Sequence, residues 1–209
     1  EAGLRSGDEQ MPEEINRLVT DRLSDLLLTP DTLSSENLRN EGVSDKKIKF
    51  VGNIMIDTLE SNREKASKLN ILDILKNNLI GGNDFPLPTF NFQLSAFALM
   101  TMHRPSNVDQ KEVLEPIMRF LLDGVSRDMV IYWPIHPRTQ KQLQNFDLWE
   151  EALTHKKLVV LHPLGYHEML RLNMDAKIML TDSGGLQEEC TMIGTPCMTL
   201  MWNTERPIT

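Results

Sequence analysis

From Phe97 to Met201 the chain repeats one pattern: a short apolar run, a polar turn, then a stretch whose apolar residues have helical spacing. Runs that are apolar throughout, rather than alternately, need cover on both faces, and a parallel sheet wrapped by helices supplies it. The pattern predicts strands over residues 97–102, 129–134, 158–161, 177–180 and 197–201. Between them it predicts helices over 109–122, 138–146, from about Tyr166 onward, and over 186–193. Strands and helices in strict alternation make an α/β fold with a doubly wound parallel sheet.

Upstream the same reading is thinner. A helix over 12–23 opens on Pro12, Glu13 and Glu14, the preferred chemistry for a helix N-terminus. A buried strand over 26–29, a helix over 34–41 closed by Gly42, and a strand over 48–51 before the Gly52-Asn53 turn follow. A helical, increasingly polar stretch over 54–79 then runs into Gly81-Gly82-Asn83 and Pro86-Leu87-Pro88, the best linker candidate by composition. So few early strands cannot form a sheet covered on both faces, so the first part is expected to be an incomplete domain with earlier strands upstream of Glu1.

Several functions lose support at once. The net charge is −8, with acidic residues spread along the chain, so no nucleic-acid partner is expected. No apolar run approaches the roughly 18 residues that cross a bilayer, so no membrane association is expected. Cys190 and Cys197 form no Cys-x-x-Cys pair and read as reduced core thiols, which suits a cytoplasmic location. No G-x-G-x-x-G, P-loop, H-E-x-x-H or zinc-spaced Cys/His cluster occurs, so neither a metal nor a cofactor is expected.

In open parallel sheets ligands bind beyond the carboxyl ends of the strands, and here those ends are polar. Ser183, Gly184 and Gly185 feed directly into a helix, offering a hydroxyl and unpaired N–H groups at the positive end of its dipole. That arrangement suits a phosphate, although a tight N-cap would use the same residues. Glu188 and Glu189 favour the dipole, and one of them can accept from a ribose diol. His103 and Arg104 place two potential cations at one strand end, before a turn in which Asp109 can cap a helix. His136, between Ile135 and Pro137, is held near the sheet, whereas His155, His162 and His167 read as ordinary loop or surface residues. At the front, Glu1 and Arg5 have no periodic explanation, while Glu13 and Arg17 are four apart on one helical face and can pair locally. Arg206 follows the last strand, where it can bind an anion or pair with Glu205. The residues alone give an α/β protein that binds a phosphorylated small molecule, and they leave the reaction open.

Taken in order, a set of segments resembles the UDP-N-acetylglucosamine 2-epimerase family. They are Glu1-Ala2-Gly3-Leu4-Arg5, Pro12-Glu13-Glu14-Ile15-Asn16-Arg17, Val51-Gly52-Asn53, Thr101-Met102-His103-Arg104-Pro105 and Pro134-Ile135-His136. Asp182-Ser183-Gly184-Gly185-Leu186-Gln187-Glu188-Glu189 and Thr204-Glu205-Arg206-Pro207 complete the set, which runs nearly from first residue to last. The resemblance implies two Rossmann-like domains of GT-B type, the first incomplete and spanning 1–57, the second binding UDP and spanning 58–209. It implies interconversion of UDP-N-acetylglucosamine and UDP-N-acetylmannosamine: UDP is eliminated as the C2 proton leaves, then re-adds to the reprotonated glycal. By motif, Glu1, Glu13 and His136 would be catalytic. Ser183, Gly184 and Gly185 would hold the diphosphate and Glu189 the ribose. Arg5, Arg17, His103, Arg104 and Arg206 would contact the UDP-sugar, and Leu164 and Met169 would line the uracil pocket. Met169 stands where many members have an aromatic, so sulfur–π contact would replace stacking. Met201 and Trp202 stand where many carry Arg and then an acid. The resemblance further implies a homodimer serving cell-surface polysaccharide synthesis. A hydrolysing relative, or a non-catalytic UDP-sugar-binding module, are the competing expectations.

Overall fold

The computed structural model describes residues 1–81, 96–201 and 204. They divide into two compact units, one built on Glu1–Ser61 together with Met201, the other on Asn62–Leu200.

The first unit contains α1 (Pro12–Leu23), β1 (Leu27–Thr29), α2 (Thr32–Asn40), β2 (Ile48–Phe50) and the start of α3 (Ile54–Ser67). Asp31 caps α2 by accepting the Ser34 N–H at 2.6 Å, and Gly42 ends it at φ +84°. β1 and β2 pair in parallel, Leu27 opposite Ile48. The expected buried strand over 26–29 is only half buried. Leu27 and Thr29 are 2% and 0% exposed, whereas Leu26 and Leu28 are 57% and 48% exposed. Strand side chains alternate between faces, and only one face packs here, on Leu38 of α2.

The first residues are locked across both helices. Gly3 has φ +78°, and a Cβ there would come within 2.1 Å of the Ser34 carbonyl oxygen. Its N–H donates to Asp21 Oδ2 at 2.9 Å, and its carbonyl accepts from Asn37 Nδ2 at 2.9 Å. Gly3→Ala is therefore expected to destabilise this unit by at least about 1 kcal/mol from the backbone alone, more once Ser34 is displaced. Thermal unfolding should show a drop of about 3 °C or more. An unchanged melting temperature would contradict this packing.

The second unit opens with the rest of α3, then α4 (Ile71–Asn78). One continuous helix over 54–79 was expected. Asn70 divides it, because its side chain accepts the Leu72 N–H at 2.8 Å and caps a new helix. Next come β3 (Phe97–Thr101), α5 (Pro105–Val108), α6 (Lys111–Arg119), a π-helical run (Phe120–Val125) and α7 (Ser126–Asp128). The single helix expected over 109–122 is thus irregular, since Pro116 removes a donor inside α6 and the next turns relax to π bonding. β4 (Val130–Pro134), α8 (Pro137–Asn145), α9 (Trp149–Thr154) and β5 (Leu158–Leu161) follow. The unit ends with α10 (Tyr166–Asp175), β6 (Ile178–Thr181), α11 (Gly184–Ile193) and β7 (Cys197–Thr199). The six-residue α9 was not anticipated, being too short to show a period.

The five strands pair in parallel in the order β5-β4-β3-β6-β7. Period-two alternation divides their side chains between two cores. Phe97, Leu99, Tyr132, Val159 and Met179 pack with α4, α10 and α11 residues such as Leu75, Leu172 and Cys190. Ala98, Met100, Ile131, Trp133 and Leu180 pack on the other face with Val108, Leu114, Met118 and Leu143. This is the expected doubly wound architecture. The chain winds from β3 out through β4 to β5, then returns to place β6 on the opposite side of β3. The strand order reverses there, so the crevice for a ligand lies beyond the carboxyl ends of β3 and β6.

Candidate functional site

At that reversal Thr101 and Thr181, the last residues of β3 and β6, join hydroxyls at 2.8 Å. The next residue after β6, Asp182, is fully buried and organises both strand ends. Its carboxylate accepts the His103 N–H at 2.9 Å, the Arg104 N–H at 2.7 Å and Asn107 Nδ2 at 3.0 Å, and it faces His103 Nδ1 at 3.0 Å. Burial alone would raise the Asp182 pKa, but the His103 ring and these N–H groups hold it below the usual carboxylate range. In return the Asp182 hydrogen bond raises His103, against burial and the charge of Arg104. Arg104 Nε donates to the Asp182 carbonyl at 2.7 Å. With Nδ1 engaged by Asp182, Nε2 is the other His103 nitrogen with which a ligand could bond.

His136 is the N-cap of α8, and its ring centroid is 5.4 Å from that of His103. His136 was expected to be held near the sheet; it lies two residues past the end of β4, but it is exposed, and what fixes it is the cap. Its Nδ1 accepts the Arg138 N–H at 3.1 Å, so the neutral ring carries its proton on Nε2. Burial lowers the His136 pKa, and the adjacent His103 and Arg138 charges lower it further. Two neighbouring imidazoles are thereby pushed apart, His103 toward the cation and His136 toward the neutral donor.

Ser183 caps α11, its Oγ accepting the Leu186 N–H at 3.5 Å while its own N–H donates to Thr181 Oγ1 at 3.0 Å. Gly184 and Gly185 begin the helix, where backbone N–H groups have no intrahelical acceptor, an arrangement suited to an anion. Further along α11, Glu189 is 7% exposed, and burial, with the neighbouring Glu188 charge, raises its pKa. Leu164 and Met169 are partly buried against the core that contains Leu161 and Leu172. The sheet thus brings His103, Arg104, His136, Ser183, Gly184 and Gly185 to the carboxyl ends of three neighbouring strands.

The front residues gather separately, in the first unit. Glu1, Glu13, Asn16, Arg17, Thr20 and Asp21 line a cavity of about 510 Å³. Arg17 pairs with Glu1 at 3.2 Å and with Glu14, three residues back, at 3.5 Å. Glu13 is exposed, whereas Glu14 and Asp21 are the buried carboxylates of α1. Burial pushes Glu14 up, but the Ser6 and Gly7 N–H groups, the Ser6 hydroxyl and the Arg5 charge together hold it below the usual range. Arg5, expected at the UDP-sugar, directs its donors to Glu41 at 2.7 and 2.8 Å, to Asp21 at 2.8 Å and to the Leu4 carbonyl. These contacts make it a clamp between the first segment, α1 and the end of α2. Trp202 and Arg206 lie outside the described residues. Among the described residues no group of three or more His, Cys, Asp or Glu is placed to hold a metal, and no helix is long and apolar enough to cross a membrane.

The model of the family described as UDP-N-acetylglucosamine 2-epimerase matches residues 1–209, the whole chain. The chain belongs to that family. Among the relatives of this epimerase-family chain is a UDP-N-acetylglucosamine 2-epimerase of Methanocaldococcus jannaschii, 40% identical over 210 residues. That match covers 100% of this chain and 54% of the relative. A UDP-2,3-diacetamido-2,3-dideoxy-D-glucuronate 2-epimerase of Pseudomonas aeruginosa is 34% identical, over 98% of this chain and 51% of the relative. The crystal structure of the M. jannaschii UDP-GlcNAc 2-epimerase in complex with UDP-GlcNAc and UDP superposes with a TM-score of 0.86 at 39% identity. It covers 100% of this chain and 54% of that one. The chain therefore spans about half the length of the curated relatives it matches. Asn107 escaped the sequence reading of this site, and Asp182 was quoted there only as part of a strand-end segment, without a role of its own. Asp182 adjoins Ser183 and was legible as a strand-end acid. Asn107 gave no local signal, because its partner is 75 residues away.

Proposed function

We propose that the whole protein is a UDP-N-acetylglucosamine 2-epimerase that interconverts UDP-GlcNAc and UDP-ManNAc by eliminating and re-adding UDP. The observation that carries this reading is the cluster at the β3/β6 reversal, where a helix N-terminus, a cation-leaning histidine and a neutral histidine converge. A diphosphate leaving group needs fixed donors as its charge develops, and N–H groups in a preorganised site supply them without reorganisation. In this reading Ser183, Gly184 and Gly185 hold the diphosphate. His103, whose pKa Asp182 raises, and Arg104 balance it, while His136 donates from Nε2 as the C1–O bond breaks. Glu189 accepts from the ribose hydroxyls, with Leu164 and Met169 beside the uracil. Glu1 and Glu13 serve the C2 proton as base and acid, and Arg17 orients Glu1. Arg5 supports the cavity that holds Glu1 and Glu13 through Asp21, and Arg206 completes the UDP-sugar contacts. Homodimerisation, a cytoplasmic location and a place in cell-surface polysaccharide synthesis belong to the same proposal.

NMR of the whole protein incubated with UDP-GlcNAc tests it. Accumulation of UDP-ManNAc is the expected result. Release of free N-acetylmannosamine would make it a hydrolysing relative, and UDP binding with no turnover would make it a binding module. Turnover only of a diacetamido-uronate nucleotide would move the substrate toward that of the P. aeruginosa relative.

A further inference from the structure

We propose that Thr139 is a positioning residue that holds His136 at its working distance from His103; the inference rests on the proton-donating role given to His136 above. β3 and β4 pair side by side, and the segments that follow them carry one imidazole each, with ring centroids 5.4 Å apart. Each ring is fixed within its own surroundings, His103 on Asp182 and His136 on the Arg138 N–H. A separate bond joins the two segments. Thr139, in the first turn of α8, donates its hydroxyl to the Met102 carbonyl at 2.5 Å, and both residues are 0% exposed.

The acceptor belongs to the peptide unit that leads into His103. Its carbonyl takes the Thr139 hydroxyl and its N–H donates to Asp182 at 2.9 Å, so that plane is held from both sides. A threonine hydroxyl in a helix commonly bonds back to a carbonyl three or four residues earlier. This one reaches across 37 residues to another strand end. Asp182 also holds the His103 ring and the Arg104 N–H, so the β3 side stays in place without Thr139. The α8 side is the one released. His136 is the N-cap of that helix, three residues before Thr139, so a shift of the first turn carries the ring with it. A second link runs nearer the solvent: Arg138 donates to both carboxylate oxygens of Asp109, at 2.9 and 2.5 Å, and Gln142 donates to one of them at 3.1 Å. The Arg138 and Asp109 side chains are 46% and 32% exposed, where an ion pair contributes little, so the buried hydroxyl is the stronger brace.

The test measures turnover of UDP-GlcNAc by the whole protein. Thr139→Val keeps the side-chain shape and removes the hydroxyl. It should lower kcat about 10-fold, because a small displacement of a proton donor is enough, and change KM by less than about 2-fold. Thr139→Ala, read the same way, replaces it if the valine variant does not fold. Thr139→Ser drops the methyl and keeps the hydroxyl, so it should recover kcat to within about 2-fold of the unmutated protein whatever its melting temperature. Beside His136→Asn, Thr139→Val should lower kcat by less than about 2-fold, since the ring it places is gone, whereas general loosening of the fold would cost its full factor again. Asp109→Asn should leave kcat within about 2-fold. The Thr139 proposal is overturned, and the His136 role stands, if His136→Asn alone loses kcat while any of four results appears. These are full kcat in Thr139→Val, an equal loss in Thr139→Ser, an undiminished loss beside His136→Asn, or the same loss in Asp109→Asn. If the unmutated protein does not turn over, or His136→Asn alone keeps full kcat, the reading of the site fails and the Thr139 proposal fails with it.

Discussion

His136→Asn is expected to lower kcat of the whole protein by about 10²-fold or more, the usual loss when a proton-donating side chain is removed. Asparagine is chosen because it is among the best N-cap residues and can take over the Arg138 N–H that His136 Nδ1 accepts. The fold should survive, with melting unchanged within about 2 °C, so the loss reports chemistry rather than unfolding. The pH dependence follows from the same bond. Protonating His136 puts a second N–H against that of Arg138, which adds to the burial and the His103 charge that already depress its pKa. The neutral donor form therefore persists below the ordinary imidazole value of about 6.5. The acid limb of kcat should fall below that value in the unmutated protein and be absent from the residual activity of His136→Asn. A variant with full kcat would remove His136 from the reaction.

Asp182→Asn is expected to damage both stability and binding. The carboxylate is fully buried and receives donors from His103, Arg104 and Asn107. An amide there offers one acceptor oxygen and turns an NH₂ toward groups that are themselves donors. Leaving buried donors unmatched beside an uncompensated charge costs about 3 kcal/mol, measurable by denaturant unfolding. The folded His103 pKa should fall toward its ordinary value, visible by NMR titration of the ring, and UDP affinity should drop about tenfold or more with the lost charge. The signs of the two pH effects are opposite. Asp182 is depressed on folding, so its contribution is present above about pH 4 and is lost as pH falls through its folded value. His103 is raised on folding, so its contribution is complete below about pH 6.5 and is lost as pH rises through its folded value. The His103 side chain is 44% exposed, and solvent screening keeps its share small. Asp182→Asn should flatten both limbs of the stability profile. Unchanged limbs would mean that the pair is incidental.

The central sheet was legible because its strands are apolar along their whole length, as Phe97 to Met100 and Leu158 to Leu161 are, and such runs have few other folded uses. β1 was read by the same rule and came out half exposed, with Leu26 and Leu28 on the cavity that α1 residues also line. Apolar composition reports what a strand tolerates, and its cover comes from elsewhere in the chain. Breaks inside helices were harder still. The division at Asn70 rests on a cap whose side chain resembles any other polar residue in a polar helix. For the site, the Ser183-Gly184-Gly185 turn was readable because its chemistry is local, a cap followed by unpaired N–H groups. The pairing of His103 with Asp182 is made across 79 residues by two strands that become neighbours only when the sheet reverses its order. The choice of Glu14 rather than Glu13 as the buried carboxylate depends on how α1 is rotated against the turn at Ser6 and Gly7, and two adjacent glutamates give no hint of that rotation.

Isotope exchange tests the account most directly. The whole protein is incubated with UDP-GlcNAc in D₂O and followed by proton NMR. Elimination and re-addition of UDP predict a mixture of UDP-GlcNAc and UDP-ManNAc, both carrying deuterium at C2, with UDP retained on the sugar. A mixture that keeps the original C2 hydrogen, or no second epimer at all, would contradict it.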